Sequence, residues 1–175
     1  MRIIAGRLGG RSFDSPHGHR THPMSDRVRG GLFNSLGDIN GLTVLDAFAG
    51  SGALSFEALS RGAQSAIAID IDKKAHDTIK KNASSLGLNH QIKITRANAS
   101  GWSDNNPDQT FDIVIAAPPY DDLQFQLVEK LARHVGPDGL LVLDWPGAQA
   151  VPAFENFYEV AQRRYGDAQL IFYKR

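Results

Sequence analysis

Apolar residues along the chain recur with two periods that take turns. Short apolar runs at Thr43–Ala47, Ser65–Ile71, Gln91–Thr95, Phe111–Ala116 and Leu140–Leu143 have the length and composition of strands. Between them lie stretches with apolar residues three and four apart. These are Ala53–Arg61, a segment from Lys73 in which Ala75, Ile79 and Leu86 align, and another in which Leu123, Leu127, Val128, Leu131 and Val135 share a face. Parallel strands need helical crossovers, so the alternation predicts an α/β fold, a doubly wound and mainly parallel sheet with helices on both faces. Two last runs, Phe157–Gln162 and Gln169–Tyr173, are joined by the turn Tyr165-Gly166-Asp167. That connection is too short for a crossover, so the sheet of about seven strands should end in an antiparallel hairpin.

The first forty residues stand outside this rhythm. Arg2–Ala5 and Arg11–Asp14, separated by Gly6, Gly9 and Gly10, suit a hairpin or extended arm. Ser25 or Asp26 is placed to cap a helix in which Val28, Leu32, Phe33 and Leu36 share a face, closed by Gly37. We therefore divide the chain into an extension, residues 1–40, and a main domain, residues 41–175. Ser103–Gln109 reads as a polar loop.

Charge sharpens this division. The 175 residues carry 19 basic and 19 acidic side chains, which excludes a generally basic nucleic-acid-coating protein. Yet residues 1–30 hold six arginines against Asp14 and Asp26, so the positive charge is gathered at one end. Cysteine is absent, which removes disulfides, thiolate metal sites and thiol catalysis and suits a reducing compartment. No apolar run approaches the roughly 18 residues of a membrane span. A cytoplasmic, monomeric protein is expected, without membrane or metal.

The candidate chemistry sits at the ends of the strands. Asp46-Ala47-Phe48-Ala49-Gly50-Ser51-Gly52 closes the first strand and runs into a helix, putting glycines where a ligand must approach the backbone. A dinucleotide loop carries glycine where this one has Ser55, and a pyrophosphate would be repelled by Asp46. A ligand bearing an ammonium, such as the methionine part of S-adenosylmethionine, would be attracted. At the end of the second strand Asp70 is placed to accept ribose hydroxyls, with Ile71 available to an adenine face and Asp72 to cap the next helix. Asn98 and Ala99 follow the third strand, where an amide can read the adenine edge. After the fourth strand, Ala117-Pro118-Pro119-Tyr120 makes an extended turn that exposes the Pro118 carbonyl and the Tyr120 ring.

The order DAFAGSG, AIDID and PPY resembles the amino-methylating class of S-adenosylmethionine-dependent methyltransferases. With RIIAGRLGGRSF, SDRVRGGLFNSL and the ending LIFYKR, the chain is similar over nearly its whole length to the RsmD-type small-subunit ribosomal RNA guanine-N2 methyltransferases. The resemblance implies a Rossmann-like methyltransferase sheet, S-adenosylmethionine as cofactor, and methylation of a guanine amine in small-subunit ribosomal RNA or a partly assembled subunit. By position, Asp46, Ala49, Gly50 and Gly52 match the cofactor loop, Asp70 the ribose acid and Asn98 the adenine-side residue. Pro118, Pro119 and Tyr120 match the catalytic turn.

One position departs from the pattern. The family carries Asp or Asn before the two prolines, and this chain has Ala117. An aromatic amine is a poor nucleophile until acceptors hold its hydrogens and turn its lone pair toward the methyl group. A methyl side chain accepts nothing, and losing such a positioned hydrogen bond costs ~10² or more in rate. Either Ala117 impairs the chain or Asp121 or Asp122 replaces the missing acceptor. The extension also departs from the family at His22-Pro23-Met24 and Gly30. Arg7, Arg11, Arg27 and Arg29 are expected to meet phosphates rather than bases. His17, His19 and His22 lack the spacing and partners of a metal site. Trp102 and Trp145 read as packing residues, the latter next to Asp144 at a strand end. Three rival functions share parts of this pattern: a noncatalytic RNA-binding assembly protein, a DNA adenine methyltransferase and a protein-glutamine methyltransferase.

Overall fold

The computed structural model describes residues 1–16 and 24–175. Seven strands form one sheet: β1 (Thr43–Asp46), β2 (Ser65–Asp70), β3 (Ile92–Arg96), β4 (Phe111–Ala116), β5 (Val135–Pro146), β6 (Tyr158–Tyr165) and β7 (Ala168–Lys174). Their spatial order is β3-β2-β1-β4-β5-β7-β6, with β7 antiparallel to both neighbours and the other pairs parallel. The strand order reverses at β1, the position at which open α/β sheets hold their ligands.

Helices cover both faces. On the first face lie α1 (Asp26–Leu36), α2 (Ala53–Ser60) and α3 (Lys73–Leu86), packed on Val44, Ala66, Ala68, Ile113, Ile115, Val142 and Leu170. On the second lie α4 (Ala99–Asn105) and α5 (Phe125–Ala132), packed on Leu45, Ile67, Val114, Ala116, Leu141 and Leu143. All eight residues of α2 are buried, including Ser55, Glu57 and Ser60.

The N-terminal segment forms a docked hairpin. Arg2 bridges Ser12, and Ile3, Leu8 and Phe13 enter the core of the first face. Glu57, fully buried, accepts hydrogen bonds from the backbone N–H groups of Ile4 (2.8 Å) and Ala5 (3.1 Å). Ser60 Oγ bonds both Leu8 N and Ala5 O. Residues 1–16 therefore share the main domain's core.

Two local expectations change. Val135 keeps helical spacing from Leu131, yet it opens β5 opposite Phe111, because His134 turns the chain back to bond Leu131 O and leaves α5 ending at Ala132. The polar stretch read as a loop from Ser103 begins inside α4, a seven-residue helix capped by Asn98. Only Ala99, Trp102 and Ser103 of α4 are buried, so its amphipathic pattern is one turn long.

Candidate active site

β1, β2, β4 and β5 run in one direction and bring their C-terminal ends to a common edge. Asp46 ends β1 there with 1% of its surface exposed. Its Oδ2 accepts a 2.7 Å hydrogen bond from Ser55 Oγ, and its Oδ1 has no partner. Burial pushes the Asp46 carboxyl up to about 6 against the pull of Ser55. A buried oxygen lacking a donor is costly unless a ligand completes it. An ammonium would satisfy the oxygen and balance its charge, so the residues present fit the methionine end of S-adenosylmethionine.

The glycine loop is built around this carboxylate. Gly52 has a left-handed φ of +80°, and a Cβ there would meet the Phe56 ring at 2.9 Å. Gly50, at φ +53°, faces open space, with no atom nearer than Phe48 O at 4.0 Å. The Gly50 N–H donates to Asp70 Oδ2 at 2.8 Å, while Asp70 Oδ1 accepts from Asp72 N at 2.8 Å. Each carboxylate oxygen retains a second lone pair for a hydroxyl. Ala49 is anchored to Ile69 O, and Ile71 beside Asp70 leaves 64% of its surface exposed, an apolar face suited to a nucleobase.

Asn98 caps α4 through its oxygen, which accepts from Ser100 N (2.8 Å) and Gly101 N (3.4 Å). Its amide nitrogen is the part of the side chain left for an adenine edge, beside Ala99 at the first helical position. On the neighbouring side, Ala117 packs against the first-face core and Pro118 is buried. The Pro119 carbonyl is taken by Asp122 N at 3.0 Å. Tyr120, 40% exposed, donates its hydroxyl to Asp144 Oδ1 at 2.7 Å. Burial and the Asp144 charge raise the Tyr120 pKa, and burial with the Asp167 charge pushes Asp144 up to about 6.

The expected basic residues do not gather here. Arg29 is a correction: its guanidinium is fully buried, bonded to Arg2 O (2.6 Å) and Asp26 Oδ1 (2.9 Å) and 3.8 Å from Glu57. It joins α1 to the hairpin and α2, and no phosphate can reach it. Arg7 and Arg11 are exposed, but they bond Gln91 Oε1 and Ser85 O, at the start of β3 and the end of α3. That is the strand edge opposite the site. Arg27 is exposed in the first turn of α1. Its neighbour Asp26 pairs with Arg2 of the hairpin at 2.9 Å. His17, His19, His22 and Pro23 lie outside the described residues. Among the described residues there is no cluster of metal-ligating side chains, and no helix is long and apolar enough to cross a membrane.

Ser55 and Asp144 are the site residues that sequence reasoning missed. Ser55 had one signal, a hydroxyl within an apolar helix. Asp144 had a weaker one, a carboxylate at the end of an apolar strand.

Residues 1–174 match the family described as Conserved hypothetical protein 95. Ribosomal RNA small subunit methyltransferase D of Haemophilus influenzae is 35% identical over 172 residues, covering 95% of this chain and 89% of that protein. YlbH of Bacillus subtilis is 30% identical, covering 100% and 99%. The solved structure of yhhF from Escherichia coli superposes with a TM-score of 0.87 at 30% identity, covering 100% of this chain and 97% of that one. With this fold, the carboxylate and glycine loop and the PPY turn at one sheet edge, the chain belongs to the Conserved hypothetical protein 95 family, the RsmD-type S-adenosylmethionine-dependent methyltransferases of small-subunit ribosomal RNA.

Proposed function

We propose that this chain methylates the exocyclic N2 amine of a guanine in small-subunit ribosomal RNA, free or in a partly assembled subunit, acting as a cytoplasmic monomer. The observation that carries this reading is the convergence of two half-sites on one edge. Asp46 with an unpartnered buried oxygen and the Gly50–Asp70 pair make the first, and the Pro118–Tyr120 turn makes the second.

S-adenosylmethionine supplies an electrophilic methyl group on a sulfonium. Asp46 holds the ammonium, Asp70 accepts from the ribose hydroxyls, Ile71 packs on adenine, and Asn98 with Ala99 meets its edge. Ala49, Gly50 and Gly52 let the ligand approach the backbone. An extruded guanine stacks on the half-exposed Tyr120 ring, held in place by its bond to Asp144. Alignment is the main source of rate in such a displacement. Arg27, exposed on α1 and with no side-chain hydrogen bond to another of the described residues, is the phosphate contact among these arginines; Arg7 and Arg11 are held at the strand edge opposite the site.

The deciding measurement is transfer of labelled methyl from S-adenosylmethionine to unmodified small-subunit RNA carrying its early-binding proteins, followed by nucleoside analysis. N2-methylguanine in the product supports the reading. Cofactor binding with no transfer to this substrate, by the chain or by its Ala117→Asp variant, overturns the ribosomal assignment. A product bearing N6-methyladenine or methylglutamine supports the rival methyltransferases instead.

A further inference from the structure

The parallel pairing of β4 and β5 sets Ala116 beside Leu143, and both enter the core of the second face. One residue further, Ala117 and Asp144 are level with each other and both turn to the first face. Ala117 packs on that core, and Asp144 pairs with Leu170, a member of it. A carboxylate on the adjoining strand therefore stands next to the position where the family carries Asp or Asn.

We propose, on the basis of the methyl-transfer reading above, that Asp144 supplies the second hydrogen-bond acceptor for the target amine, the role that Ala117 cannot fill. The Tyr120 hydroxyl holds one carboxylate oxygen of Asp144 at 2.7 Å, and Tyr120 belongs to the turn that presents Pro118. Acceptor and stacking ring are thus one hydrogen-bonded unit. A carboxylate offers about four lone-pair directions, so the bond from Tyr120 leaves capacity for an amine. Asp121 and Asp122 are less suited, for both are exposed beyond the prolines, off the strand-edge row that holds Ala117 and Asp144.

The groups facing Asp144 are Tyr120 from the turn after β4 and Asp167 from the β6–β7 turn. Asp144 is a carboxylate at neutral pH and basic enough to take a proton. In the step, the guanine N2 lone pair forms the new bond to the methyl carbon as the methyl–sulfur bond breaks and sulfur keeps that pair. The nitrogen's surplus proton passes to the Asp144 carboxylate and then to water. The atoms and charges balance with S-adenosylhomocysteine and N2-methylguanine as products.

The test places Asp144→Ala in the chain itself and in the Ala117→Asp background, measuring single-turnover methyl transfer, S-adenosylmethionine affinity by calorimetry, and thermal midpoint. The expected result is a loss of ~10² or more in rate for Asp144→Ala alone, shrinking to less than about fivefold when Ala117→Asp restores an acceptor. Cofactor affinity should stay within about twofold throughout. A merely structural role in holding Tyr120 would cost the same in both backgrounds, and that result overturns the proposal. So does an unchanged rate for Asp144→Ala. Transfer by the Ala117→Asp variant alone overturns the role of Asp144 while leaving the ribosomal RNA reading intact. Binding of cofactor without transfer by any variant overturns both.

Discussion

Asp70 is tied to Gly50: the carboxylate at the end of β2 accepts the N–H of the glycine loop after β1 at 2.8 Å. One side chain both shapes the loop and faces the expected ribose. Asp70→Ala should weaken S-adenosylmethionine binding by tenfold or more, on the order of 1.4 kcal/mol. It should also lower the thermal midpoint without ligand, because a loop N–H loses its acceptor. Calorimetry and thermal unfolding check the two effects separately; an unchanged affinity would remove Asp70 from the cofactor site.

Asp46 predicts a pH dependence. Its folded carboxyl is raised to about 6 from an ordinary 3.8, so between those values the native state holds a proton that the unfolded chain releases. Its favourable contribution is full below 3.8 and is lost as pH rises through about 6. The cofactor ammonium needs the ionised form, so affinity should rise with pH through the same range and level off above it. Asp46→Asn should flatten that profile and bind weakly at every pH. The same variant should be more stable than the parent without ligand at pH 7, by about 1–3 kcal/mol. Calorimetry from pH 5 to pH 8, paired with denaturant titration, reads both.

Glu57 should prove structural. Glu57→Ala removes the acceptor for two backbone N–H groups and for Arg61 Nε, and strips the buried Arg29 of its nearest fully buried counter-charge. Breaking a buried pair by deleting one partner costs about 3–5 kcal/mol. Urea unfolding should show a loss of that size, and proteolysis should cut first within residues 1–16.

The arginines should separate by position. Arg27→Ala should weaken RNA binding and flatten its salt dependence by about one counterion, with no effect on S-adenosylmethionine. Arg7→Ala and Arg11→Ala, at the far strand edge, should change RNA affinity much less. Filter binding across a salt series would show the order, and equal losses at all three would contradict it.

The strand ends were legible because chemistry and period coincide there. Apolar runs stop at Asp46, Asp70 and Pro118, and parallel pairing puts those stops on one edge. Asp72 capping α3 and Ser25 capping α1 follow from local hydrogen bonding alone. What stayed hidden depends on partners remote in the chain. Arg29 lies on the apolar face of α1, three and four residues before Leu32 and Phe33, whereas Arg27 lies on the opposite face; what no local window shows is that Arg2 and Glu57 supply the partners that let a guanidinium be enclosed there. Asp144 gains its meaning from a register with β4 that no window around residue 144 contains. Val135 satisfied the helical period by accident of spacing, and its pairing with Phe111 prevailed.

The docked hairpin also orders events during synthesis. Ile4, Leu8, Phe13 and Asp14 are synthesised before their partners, which lie at Glu57, Ser60, Phe56 and Asn82. Loop closure over that many residues precedes any gain from contact. The hairpin's apolar residues must therefore wait, solvated, until α2 and most of α3 have been made. Arg2, Arg7 and Arg11 keep that waiting segment charged, which opposes self-association of nascent chains.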